Sequence, residues 1–207
     1  LAHRVTTPYE GTATRPLTPG DPVEAPLRQH SATVRPEWVD YNDHMTESAY
    51  LLVFGDAADA LFRMLGIDEA YRAAGHSLYT VETHLHHRRE LSVGDPLTVT
   101  IQLLDVDDKR VHLYQEMHDG ASGDLVASAE QLLVHVDMAA GRSAPIPPAV
   151  ADRLAAILEA HRALPAPPTV GRPMGIRRSP ASPATPSPTP VPTSSEATTS
   201  DTPAGDR

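Results

Sequence analysis

Two hydrophobic periods alternate along this chain, and the points where they change mark its elements. Between Thr46 and Leu65 apolar residues recur at helical spacing: Ala49, Leu52, Val53, Ala57, Ala60, Leu61 and Met64, with Tyr50, Leu51, Phe54 and Phe62 beside them. Only Asp56, Asp59 and Arg63 supply a polar edge, so the pattern predicts a helix covered on nearly every side. Gly66 ends it, and Asp68 to Ala74 predict a short second helix closed by Gly75. From Leu78 to Arg88 the period drops to two. Leu78, Thr80, Glu82, His84 and His86 fall on one face, with Tyr79, Val81, Thr83, Leu85 and His87 on the other. Further strands are predicted at Leu97 to Leu104, Arg110 to His118 and Leu125 to Val136, after turns at Gly94-Asp95, Asp105 to Lys109 and Gly120 to Gly123. An earlier strand runs from Leu27 to Val34 and stops at Pro36. Strands joined by short turns pair antiparallel, so with the buried helix the class is α+β. A last helix, Pro148 to Ala163, places Val150, Leu154, Ile157 and Leu158 on one side, fit to pack on the domain's edge.

A chain of 207 residues has room for one domain with a real core, plus tails. The pattern places that domain at residues 27–164. Residues 1–26 hold Pro8, Pro16, Pro19, Pro22 and Pro26 among Thr and Gly, and read as a flexible arm or the linker from an upstream domain. Over 165–207 the composition collapses into Pro, Ser, Thr and Ala. Such a segment buries too little apolar area to offset about 1–2 kcal/mol per residue of backbone ordering, so a disordered tail is expected. Arg172, Arg177 and Arg178 at its start read as a solvated basic patch. A net charge of -10 and a pI near 5.5 argue against a general nucleic-acid binder, which would need a basic face. The absence of cysteine removes disulfides, thiolate chemistry and cysteine zinc sites together. No apolar run reaches the ~20 residues of a membrane span, and the N-terminus lacks a secretory pattern, so no membrane partner and a cytoplasmic location are expected.

Candidate chemistry gathers in the polar loop before the long helix, Trp38-Val39-Asp40-Tyr41-Asn42-Asp43-His44-Met45-Thr46. The first N–H groups of a helix have no partners of their own and sit at the positive end of its dipole. They can polarise a carbonyl, and an Asp just upstream can then work on the same carbon. The ordinary alternative is that Asp43 or Thr46 only caps the helix.

Asp40 to Thr46, followed by Ala49-Tyr50-Leu51, resembles the Asp-x-x-Gly-His-x-Asn…Tyr-Leu signature of hotdog-fold acyl-CoA thioesterases of the 4-hydroxybenzoyl-CoA type. The likeness continues through Tyr79 to His84, Gly94-Asp95-Pro96-Leu97 and Leu103 to Arg110, covering roughly residues 27–150. The closest look is to betainyl-CoA thioesterases of carnitine breakdown, some fused behind a dehydrogenase. The resemblance implies a curved antiparallel sheet wrapped around a central helix, and hydrolysis of an acyl-CoA to free acid and CoA. It implies Asp40 as nucleophile or general base, with His44 fixing the loop, and the polarising donors are expected to be backbone N–H groups near the helix start, around Tyr50 or a residue close by. It also implies a homodimer or a dimer of dimers, and no cofactor. Asp43 stands where the family has Gly, and Thr46 where it usually has Asn; Asp tolerates a left-handed backbone better than most residues.

Trp38, Tyr41, Tyr50 and Tyr79 surround the loop in sequence although aromatics make up only 4% of the chain. Aromatic faces attract quaternary ammonium groups, and Asp43 or Glu82 adds negative charge. A cationic acyl group is therefore expected. His84, His86 and His87 lack the spacing of a metal site, so no metal is expected. Arg88, Arg89, Lys109 and Arg110 are available to CoA phosphates or to water. Two other readings stay open: a non-catalytic acyl-CoA-binding hotdog module, and a hotdog enoyl-CoA dehydratase.

Overall fold

The computed structural model describes residues 15–176. Strand β1 (Leu27–Thr33) leads through a 3-10 turn (Pro36–Trp38) to helix α1 (Glu47–Leu65). Helix α2 (Glu69–Ala73) follows, then strands β2 (His76–His87), β3 (Pro96–Val106), β4 (Arg110–Asp119), β5 (Leu125–Asp137) and the short β6 (Arg142–Ser143), and helix α3 (Pro148–His161). They form a six-stranded antiparallel sheet in the order β1-β3-β4-β5-β2, with β6 on β5. The sheet packs its inner face on α1, which is the hotdog arrangement that the loop signature implies.

Residues from both layers make the core. Val53, Phe54, Ala57, Leu61 and Leu65 of α1 meet Leu97, Val99 and Ile101 of β3, Leu113 and Met117 of β4, and Ala129 and Leu133 of β5, all buried. Each large apolar side chain so buried contributes roughly 1.5–3 kcal/mol. Gly66 ends α1 at φ 79, and a Cβ there would meet the Arg153 guanidinium nitrogen at 2.8 Å, so conformation and space both call for glycine. Asp68 caps α2 by accepting from the Tyr71 N–H.

The alternation expected along β2 breaks at a bulge. Thr80 pairs with Leu133 but Glu82 with Leu132, so Val81 is the extra residue. Leu78 and Thr80 thus share the inner face with Thr83 and Leu85, while Glu82 and His84 project outward. A bulge is set by cross-strand pairing and leaves no gap in a local pattern.

The structure also differs from the expected boundaries. Leu17 is buried, its N–H bonds the Met64 carbonyl, and its own carbonyl accepts from Arg153, which reaches the Leu65 carbonyl too. His161 takes the Leu103 N–H on Nδ1 and donates from Nε2 to the Glu24 carbonyl, and its burial pushes its pKa down. After α3, the Thr169 hydroxyl meets the Tyr114 hydroxyl at 2.6 Å, and the Gly171 N–H donates to Glu130. Long-range side-chain contacts, rather than local apolar content, hold residues 15–26 and 165–171 to the domain. The expectations for 1–14 and 177–207, Arg177 and Arg178 included, lie outside the described residues. We predict a difference in melting temperature between chains of 15–171 and 27–164. The shorter should melt about 5–10 °C lower, since each lost hydrogen bond contributes about 1 kcal/mol. Differential scanning calorimetry of both checks this. Among the described residues no helix is long and apolar enough to cross a membrane.

Candidate active site

The loop between the 3-10 turn and α1 is tied at both ends. Trp38 is buried, with the Arg35 guanidinium 4.9 Å from its ring centroid, and its carbonyl accepts from the Thr46 N–H at 2.8 Å. Inside that closure Val39 bridges Met45, and the Asp40 N–H donates to the His44 carbonyl at 3.0 Å. The Met45 N–H reaches the Leu91 carbonyl and His44 bridges Ser92, which fastens the loop to the segment before β3. The tight turn Asp40–Asp43 needs a left-handed residue, and Asp43 supplies it at φ 60. So Asp43 does adopt the conformation for which the family signature carries glycine.

Within the turn, Asp40 is half-buried. Its carboxylate accepts the Asn42 N–H at 2.8 Å on one oxygen and faces the Asn42 amide at 3.4 Å with the other. An ionised carboxylate has about four lone-pair sites, so the bond that aims it leaves others for a ligand. His44 is exposed and ties the loop through its backbone carbonyl.

The start of α1 is open. Thr46 takes the N-cap position at φ -68, ψ 151, but its side chain caps nothing and turns to the Ser48 hydroxyl at 3.2 Å. The Ala49 and Tyr50 N–H groups return to the Thr46 carbonyl at 2.9 and 3.4 Å. No acceptor among the described residues takes the N–H groups of Glu47 and Ser48. Two cavities of about 400 Å³ meet at Glu47. One is lined by Thr46, Ser48, Leu51 and Leu85, the other by Met45, Tyr50, His87, Arg88, Arg89 and Glu90. Tyr50 is buried between them, its hydroxyl donating to the Arg89 carbonyl and its ring edge-on to His87 at 4.8 Å. That burial pushes its phenol pKa up.

Trp38, Asp40, Tyr41, Asp43, His44 and Tyr50 thus belong to one region, with Tyr41 94% exposed at the loop tip. Glu82 lies elsewhere: past the bulge it pairs with His84 at 2.9 Å on the outer face. There it borders a cavity of about 360 Å³ with Asp105, Asp107, His112 and Glu130. Tyr79 sits eight residues from His87 along β2, about 27 Å away. Among the described residues no cluster of three or more His, Asp or Glu is placed to hold a metal ion.

The sequence points to backbone donors near the helix start, around Tyr50 or a residue close by; the unpaired N–H groups there are those of Glu47 and Ser48. The signal was legible, since the first N–H groups of any helix have no partner within the helix.

A model of the thioesterase-like superfamily matches residues 34–154, more than half of the chain and the whole of this region. The chain belongs to the thioesterase-like superfamily. An L-carnitine dehydrogenase/betainyl-CoA thioesterase of Rhizobium meliloti is 50% identical over 153 residues, 74% of this chain and 31% of that protein. This chain therefore spans about a third of that relative's length. A betainyl-CoA thioesterase of Pseudomonas aeruginosa is 45% identical over 72% of this chain and 95% of its own length. Among solved structures, a Staphylococcus aureus hypothetical protein in complex with CoA superposes with a TM-score of 0.68 at 27% identity. That match covers 74% of this chain and 99% of the other. The acyl-CoA thioesterase resemblance carried by the loop signature is borne out by the family match.

Proposed function

We propose that this thioesterase-superfamily chain hydrolyses an acyl-CoA thioester to the free acid and CoA. The observation that carries the reading is the pair of unpaired N–H groups at the start of α1, on residues that line a cavity beside the Asp40 loop. The thioester carbonyl oxygen accepts from Glu47 and Ser48, and negative charge growing on it is stabilised by the helix terminus. Asp40 then attacks the carbonyl carbon, or takes a proton from a water that does. Either way one water is consumed, the C–S bond breaks and the sulfur leaves as CoA thiol. Arg88 and Arg89, beside the second cavity, are suited to CoA phosphates, and the CoA-bound Staphylococcus aureus structure supports that ligand.

For the acyl group we propose a betainyl head. The names of the Rhizobium meliloti and Pseudomonas aeruginosa relatives support it, and the dehydrogenase in the first name supports a place in carnitine breakdown. Tyr41 and Tyr50 with the Asp43 carboxylate supply aromatic surface and negative charge; Trp38, whose ring already carries the Arg35 guanidinium, and Glu82, on the far face, are left out of this proposal. Cation–aromatic attraction of ~2 kcal/mol predicts about tenfold or more preference in kcat/KM for betainyl-CoA over 3,3-dimethylbutyryl-CoA, its uncharged isostere. Equal rates would remove the cationic acyl group and leave a short-chain thioesterase.

We also propose a dimer. The sheet ends at β2, whose free edge exposes Tyr79 (51%) and Val81 (57%), while α1 nearby exposes Leu51 (44%). An apolar open edge of this kind is normally covered, here by a second copy paired edge to edge. Light scattering at micromolar concentration should give at least twice the chain mass; monomer alone would refute it.

A further inference from the structure

Three polar side chains stand in a row on the face of the sheet that packs against α1, where apolar residues are the rule. Gln115 on β4 is fully buried, Gln131 on β5 is 5% exposed, and Thr83 on β2 is half-buried. One fixed point sets their polarity. The Phe54 carbonyl of α1 can only accept, so the Gln115 atom 3.2 Å from it is the amide nitrogen. That nitrogen lies 2.7 Å from Gln131, whose facing atom must be its oxygen. The Gln131 amide nitrogen is left at the other end, 3.4 Å from the Thr83 hydroxyl oxygen. The helix backbone thus dictates both amide orientations. Thr83 accepts within this row, and its own proton is left for a further acceptor.

Stability alone does not account for the row. The Gln115 oxygen is buried with no partner among the described residues, and a buried unsatisfied acceptor costs free energy that an apolar side chain would not. What the row does achieve is a hydroxyl of fixed polarity on the inner face of β2. Two residues along that face, about 7 Å away, Leu85 lines the cavity shared with Thr46, Glu47, Ser48 and Leu51. We infer that Thr83 donates a hydrogen bond to the oxygen of the attacking water, held in the groove between α1 and β2. The inference rests on the thioesterase reading and adds a substrate-contacting residue to it.

The test measures thiol release from butyryl-CoA and acetoacetyl-CoA by the full chain, its Thr83→Val variant and its Thr83→Ser variant. These esters have the same length, and only the second carries an acyl oxygen beyond the thioester. Free CoA, with neither acyl group nor thioester carbonyl, is the control ligand. Thr83→Val should lose about tenfold or more in kcat/KM, and Thr83→Ser should stay within about threefold of wild type, with inhibition by CoA and melting temperature unchanged. Loss on both esters is the result expected of a bond to the attacking water; loss on acetoacetyl-CoA alone would place the bond on an acyl oxygen and overturn the inference. Thr83→Val rates within twofold of wild type on both esters would overturn the inference. So would a loss matched by weaker CoA inhibition and a lower melting temperature, which marks a structural role only. If the wild-type chain releases thiol from no ester, the thioesterase reading itself fails, and this inference with it.

Discussion

Replacing Asp40 by Asn should cut turnover by about 10²-fold or more while the melting temperature stays within a degree or two of wild type. Asn keeps the shape and one oxygen, so the bond from the Asn42 N–H that aims the side chain survives. What goes is the charge and basicity that either an attacking carboxylate or a general base requires. The loop does not depend on that charge, since its closure runs through backbone groups of Trp38, Thr46, Asp40 and His44. Parallel measurement of kcat and thermal unfolding checks both halves. Activity within a few-fold of wild type at unchanged stability would exclude Asp40 from the chemistry.

Glu47→Pro tests the other half of the site. Proline is well tolerated at the first helical position, and the residue before it must be extended. Thr46, at φ -68 and ψ 151, already is. The substitution therefore removes one N–H from the open helix start with little cost to the fold. If that N–H polarises the thioester, kcat should fall by roughly 10²–10³-fold, the scale of one lost oxyanion donor. Glu47→Ala, which keeps the N–H and loses the side chain, is the control and should stay within a few-fold. Equal rates for both variants would move the donor role away from Glu47.

The parts of this site written in the sequence are those governed by local chemistry. The polar loop between an apolar strand and an apolar helix, the carboxylate upstream of the helix start and the glycine at its end all follow from short-range preferences. Asp43 at φ 60 belongs here too, because a departure from glycine to a residue that tolerates the same backbone marks the turn. What escaped depends on partners far away in the chain. Val81 becomes a bulge only because β5 pairs past it, and that moves Glu82 away from the helix to the outer face. Residues 15–26 and 165–171 carry the proline-rich composition of free chain. Arg153, His161, Tyr114 and Glu130, distant in sequence, hold them in place. The Gln115–Gln131–Thr83 row spans three strands, and no single-strand period reveals it.

The most direct measurement is release of free thiol when the wild-type chain is mixed with a panel of acyl-CoA esters that includes betainyl-CoA. Multiple turnovers are expected, with CoA and free acid formed in equal amounts and the rate lost in Asp40→Asn. Tight binding of the esters without thiol release, or hydration of an enoyl-CoA in its place, would contradict thioester hydrolysis by this chain.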